Sequence, residues 1–191
     1  GQYPVEAVRT MNSIALTVEG DINYSGRLRA RPGATVPNVT NAISYATCQT
    51  ADELHAAAII TVSKSGRTAR MISKFRPGVP ILCCTCDERV RRRLNLTWGV
   101  HPVVIPEVDS TDGLFDLAVQ AAIAEHMASD GDMVVLTAGV PLGVSGTSNL
   151  LKVEVIGDLL LSGTGVTGRT VSGSVVVCRN EDEVLRLCSE G

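Results

Sequence analysis

Between residues 56 and 156 the chain alternates short apolar runs with segments whose apolar residues recur every three or four positions. AAAIITV at 56–62, ILCCTC at 81–86, VHPVVIP at 100–106, DMVVLTAG at 132–139 and LLKVEVI at 150–156 are the runs. Each is short and bounded by turn-forming or charged residues, the pattern of strands in a sheet covered on both faces. Segments 67–75, 87–96 and 110–129 fall between them and predict helices. DERVRRRLNL puts acids in its first turn, where the helix dipole favours them, and Asp109 or Ser110 opens the last helix. Pro37 opens a further helix running to about Leu54. Strand and helix in turn specify an open, mostly parallel five-stranded sheet with helices on both faces, a three-layer α/β/α fold. Only PLGVSGTSN separates the last two runs. That is too short for a crossover helix, so the last strand is expected to lie antiparallel to its neighbour.

The flanks read differently. Val5, Val8, Met11, Ala15 and Val18 mark an amphipathic helix over 3–19, with Pro4 in its first turn. It has no partner upstream in this sequence, so its natural neighbour is expected to be missing. GD, SG and RPG within 20–36 predict a loop. From Gly157 the texture becomes glycine-rich, with Gly163, Gly165, Gly168 and Gly173 following, which predicts a linker. SVVVCR then reads as a strand and NEDEVLRLC as a helix capped by Asn180. One strand and one helix cannot bury both faces of a layer, so this tail is expected to be the start of a second domain.

Composition narrows the class. Of 191 residues 45% are hydrophobic and only 3% aromatic, so Ala, Val, Ile and Leu must fill the core. The net charge of −3 argues against nucleic acid as the main partner. Nine basic residues nevertheless face two acidic ones between 64 and 93, from Lys64 to Arg93. That surplus suits a small anionic ligand, an acidic neighbouring subunit, or merely solvated helix faces. ILCCTC lacks a second ligand pair at zinc spacing, and extended backbone would put Cys84 and Cys86 on one face and Cys83 on the other. Packing is the expected role of these thiols. No signal peptide or membrane-spanning run occurs in the sequence, and a cytoplasmic setting is expected.

Candidate chemistry concentrates in two loops. SKSGRT joins the strand at 56–62 to the helix beginning near Arg67. Helix amino termini expose backbone N–H groups and a partial positive charge. Ser65 and Thr68 add hydroxyl donors, Gly66 permits close backbone approach, and Lys64 and Arg67 add charge. A phosphate fits this set, though a hydroxyl-capped turn would also use these residues. The loop is neither a Walker A element nor GxGxxG. GVSGTSN at 143–149 follows a parallel strand and should emerge on the same edge, either to grip the ligand's other end or simply to reverse the chain. His55, His101 and His126 are scattered, no nucleophile elbow or HExxH occurs, and Trp98 reads as a packing or interface residue.

Several stretches together carry a resemblance. GQYPVEAVRTM resembles the segment that ends the catalytic barrel of pyruvate kinase and leads into its C-terminal domain. AAAIITVSKSGRTARMISKFRPGVPILCCT resembles that domain's effector loop with the helix and strand after it, and RRLNLTWGVHPV and DMVVLTAGVPLGVSGTSNLLKV continue the match in order. The resemblance implies a terminal barrel helix at 1–20, an effector domain at 21–156, a linker at 157–173 and, at 174–191, the start of the extra C-terminal domain of some bacterial members, similar to the mobile domain of PEP-utilising enzymes. It implies phosphoryl transfer between phosphoenolpyruvate and ADP, with Mg²⁺ and K⁺ in the full-length enzyme. The family's catalytic and metal-binding motifs belong to the barrel and do not occur in this sequence, so the chain alone is expected to be inactive. The effector site carries over to Ser63, Lys64, Ser65, Gly66, Arg67 and Thr68, and to Gly143, Ser145, Gly146 and Thr147 in the second loop. The Trp and Arg that animal members place between these loops have no clear equivalents. Longer bacterial members respond to AMP or ribose 5-phosphate, so a monophosphate effector is expected, as is a homo-oligomer, a tetramer in the full-length enzyme. An assembly-only domain and an independent small nucleotide-binding enzyme are the competing readings.

Overall fold

The computed structural model describes residues 2–30, 38–108, 110–140, 148–157, 180 and 185–186. Helices α1 (Pro4–Gly20), α2 (Tyr24–Arg29) and α3 (Val39–Glu53) lead into the alternating region. There β1 (Ala58–Val62), α4 (Arg67–Phe75), β2 (Ile81–Thr85), α5 (Glu88–Leu94), β3 (Val100–Val104), α6 (Thr111–Ala124), β4 (Met133–Ala138) and β5 (Leu150–Val155) follow in order. The five strands form one sheet in the order β3-β2-β1-β4-β5. β1 pairs in parallel with β2 and β4, and β2 with β3. β5 runs antiparallel to β4, as the short connection required.

The central strand shows why both faces must be covered. Ile59 and Ile60 are each wholly buried but belong to opposite cores. Ile59 joins Ile81, Cys83 and Val135 under α3, α4 and α5, represented by Cys48, Ile72 and Leu94. Ile60 joins Leu82, Cys84 and Leu136 under α6, represented by Phe115, Ala118 and Ala122. Cys83 and Cys84 thus pack on opposite faces, and their thiols are pushed up by burial, that of Cys84 to about 12. Protonated thiols at these positions behave as small apolar side chains.

Small residues let α3 approach. Its buried stripe is Thr40, Ser44, Thr47, Cys48 and Ala51. The Ser44 and Thr47 hydroxyls donate to the carbonyls of Thr40 and Ile43, each at 2.7 Å, which satisfies them without a partner outside the helix.

Some boundaries differ from expectation. Residues 24–29 are helical rather than loop, because the Asn23 side chain accepts from the Gly26 amide at 2.8 Å and Leu28 is drawn into the core. The third helix starts at Val39 behind an Asn38 cap, and Pro37 lies outside the described residues. Asp87 caps α5 instead of joining it, accepting from the Arg89 amide at 2.7 Å. The helix opened by Ser110 ends at Ala124, and His126 turns the chain with φ of 56°. The linker and tail read from 157 onward fall almost wholly outside the described residues.

Candidate effector site

From β1 the chain winds outward through β2 to β3, then returns by α6 to β4 on the other side of β1. The winding direction therefore reverses between β1 and β4. In doubly wound sheets the crevice beyond the strands' carboxyl ends at such a reversal is where ligands bind. The loop leaving β1 begins at Ser63 and the one leaving β4 at Gly139, so the first loop and the described ends of the second stand at this crevice. Parallel pairing from Ala58↔Val134 to Thr61↔Thr137 brings them out on one edge.

The first loop is anchored at both ends. The Ser63 amide donates to the Cys84 carbonyl at 3.0 Å, and Arg70 Nη2 donates to the Ser65 carbonyl at 3.2 Å. Gly66 is the residue before α4 and holds φ of 69°, a conformation costly for residues with a Cβ. It is buried, and an added Cβ would stand 3.0 Å from the methyl carbons of Leu94. Yet its burial does not consume the loop's donors. Among the described residues no backbone carbonyl accepts from the amides of Ser65, Gly66, Arg67, Thr68 or Ala69. These are the unpaired donors of a helix amino terminus. The side chains of Lys64, Ser65 and Arg67 are exposed.

Lys64 is already engaged. Its ammonium lies 2.5 Å from Glu107, whose hydrogen bond and charge raise the Lys64 pKa, while Lys64 lowers that of Glu107 in the same way. Both groups are exposed, and such pairs contribute little to stability. Arg91 and Arg92 pair with Glu88 and hold its carboxyl at about 2, and Arg76 lies over the ring of Trp98.

Gly143, Ser145, Gly146 and Thr147 lie outside the described residues, but both ends of their loop are described. Asn149 closes its base: its Oδ1 accepts from the Val140 amide at 2.8 Å and its Nδ2 donates to the Val140 carbonyl at 2.6 Å. Next to it, the hydroxyls of buried Ser148 and Thr68 are 2.5 Å apart. The first loop is thereby joined to the exit of the second. Ser148 and Asn149 lie within the GVSGTSN stretch but were not among its expected site residues, and Glu107 was not picked out from the sequence. A contact spanning 80 positions leaves no local signal.

Among the described residues no cluster of three or more His, Cys, Asp or Glu could hold a metal ion, so they provide no fitting site for Mg²⁺. No described helix is long and apolar enough to cross a membrane.

Residues 41–154 match the family model described as pyruvate kinase, alpha/beta domain. The chain belongs to the pyruvate kinase family. It is 42% identical over 191 residues to the pyruvate kinase of Geobacillus stearothermophilus, covering all of this chain and 32% of that protein. It is 46% identical over 156 residues to that of Clostridium acetobutylicum, covering 82% of this chain and 33% of the relative. A solved structure, Cryptosporidium parvum pyruvate kinase in complex with ADP, superposes with a TM-score of 0.67 at 29% identity, over 80% of this chain and 31% of the other. The chain spans about a third of the length of the curated pyruvate kinases it matches, and corresponds to their C-terminal alpha/beta domain. The relatives are transferases, and the expected mixed sheet with one antiparallel strand is the fold observed.

Proposed function

We propose that this chain is the effector-binding and subunit-bridging part of a pyruvate kinase, the enzyme that transfers a phosphoryl group from phosphoenolpyruvate to ADP. The effector is a sugar or nucleoside monophosphate, with ribose 5-phosphate and AMP the leading compounds. The observation that carries this reading is the row of amides from Ser65 to Ala69 that no backbone carbonyl among the described residues accepts from, set at the sheet's winding reversal. A phosphate dianion accepts several N–H bonds at once and is favoured by the positive end of α4. Ser65, Lys64 and Arg67 are exposed beside it and complete the donor set. Gly143, Ser145, Gly146 and Thr147, outside the described residues, are the second set of donors in this reading. Binding that favours one of two oligomer states would shift the enzyme toward that state.

Subunit contact is assigned to the outer edge of β5. Among the described residues no strand pairs with that edge, and Val153 and Val155 beside it are exposed. An unpaired strand edge is a template for a second copy, here with isologous symmetry.

Titration calorimetry with ribose 5-phosphate, AMP and inorganic phosphate tests the effector reading. Saturable binding of a monophosphate, lost in Ser65→Asp and weakened in Ser65→Ala, is expected. One observation favours a second reading, an assembly-only domain: the Thr68 hydroxyl is already spent on Ser148. Binding too weak to measure for every phosphate, with an intact oligomer, would decide for that alternative.

A further inference from the structure

We propose that α4 is a mechanical link, and that Trp98 passes the state of the 63–68 loop to helix α1. The proposal rests on the reading of that loop as an anion site. α4 runs from Arg67, next to Gly66 in the loop, to Phe75, with Arg76 capping its other end, a span of about 13 Å for nine residues. At that far end Ser73 and the capping Arg76 grip Trp98. The Ser73 hydroxyl donates to the Trp98 carbonyl at 2.6 Å. Arg76, held in the left-handed region with φ of 53°, places its guanidinium 4.4 Å from the indole centroid. That is a cation–π distance. Tyr24 of α2 packs on the same ring with centroids 5.6 Å apart.

The other side of Trp98 faces α1. The indole Nε1–H donates to Glu19 Oε1 at 2.9 Å, one residue before the helix ends. α1 has no buried residue, and this charge-assisted hydrogen bond joins its end to the sheet domain. A rigid helix therefore joins the loop at one end to a four-sided clamp at the other. An anion that draws the first-turn amides toward itself must shift α4 as a body, because α4 is packed through Ala69 and Ile72 into one core with Leu94 of α5. Ser73 and Arg76 move with it, and the bond from Trp98 to Glu19 tightens or breaks.

Trp98 is the sole tryptophan of the sequence, so its emission reports on the clamp directly. The full chain is titrated with ribose 5-phosphate, and calorimetric heat, tryptophan emission and hydrogen exchange of the α1 amides are followed together. The expected result is an emission change with the calorimetric midpoint and a matching change in exchange over residues 14–20. Glu19→Ala, which removes the acceptor, should leave binding detectable, abolish the ligand-dependent change in α1 exchange and alter affinity by about fivefold or more, as reciprocity of coupling demands. Trp98→Phe, which keeps a ring but loses the N–H, should behave likewise. Binding with unchanged emission and unchanged α1 exchange overturns the link while leaving the anion site intact. Absence of binding overturns both.

Discussion

The hydroxyls of Thr68 and Ser148 lie 2.5 Å apart in a site where both side chains are buried. One belongs to the first turn of α4 and the other to the residue after the 141–147 loop, so a single bond fastens the two sides of the crevice. Removing one hydroxyl strands the other. Thr68→Val or Ser148→Ala alone is expected to cost about 1–3 kcal/mol, the penalty for an orphaned buried polar group. The double variant should cost less than the two singles together, because nothing is left unpaired. Urea denaturation of the four proteins measures the cycle. Strict additivity would mean that the two hydroxyls do not depend on each other.

Gly66→Ala meets two obstacles at once. The backbone there has φ of 69°, which costs a residue with Cβ roughly 1–2 kcal/mol. The new methyl would also crowd Leu94, whose methyl carbons stand at 3.0 Å. Thermal unfolding should show Tm lowered by about 3–8 °C, at roughly 2–4 °C per kcal/mol for a chain of this size. An unchanged Tm would show that the loop can adopt another backbone conformation.

Thr61 offers the opposite sign. Its side chain is wholly buried in the central strand, and its Oγ1 has no hydrogen-bond partner among the described residues. Thr61→Val replaces the stranded hydroxyl with a methyl of similar volume in a β-branched side chain that suits a strand. A gain of about 1 kcal/mol in urea unfolding is expected. A loss of stability would reveal a partner for that hydroxyl.

Glu88 sets a pH window. Hydrogen bonds from Arg91 and then Arg92 lower its carboxyl from 4.5 to about 2. Because the folded value lies below the unfolded one, its support for α5 is complete above about 4.5 and fades as pH falls through about 2. An NMR titration of the side-chain carboxyl should find the depressed midpoint, moving upward at high salt as the exposed pairs are screened. A midpoint at the ordinary carboxylate value would mean that the two arginines are not held beside it in solution.

Much of the architecture was legible because its strands are short, apolar and separated by periodic segments. The bounds of α4 at Arg67 and Phe75 coincide with those expected from sequence. The antiparallel β5 followed from the shortness of the 141–149 connection. α2 escaped notice because it is six residues long with Gly26 inside, and what sustains it is a cap and one buried leucine rather than periodicity. The 63–68 loop could be placed at a strand's carboxyl end, but strand order could not, so the winding reversal that gives the loop its significance emerged only in three dimensions. Ser148 and Glu19 escaped for a related reason. Their partners lie 80 and 79 positions away, and no local pattern encodes such pairs.

The two margins of the sheet are unequal. Ile105 donates inward to Thr85, so by alternation the amides of His101 and Val103 also face β2, and position 102 faces out. Pro102 occupies that outward position and has no N–H to offer. A strand arriving at β3 finds its ladder interrupted, while one arriving at β5 meets no proline between Leu150 and Val155. The proline thus makes the two margins unequal: a strand added at β3 would lack one ladder hydrogen bond that a strand added at β5 could keep.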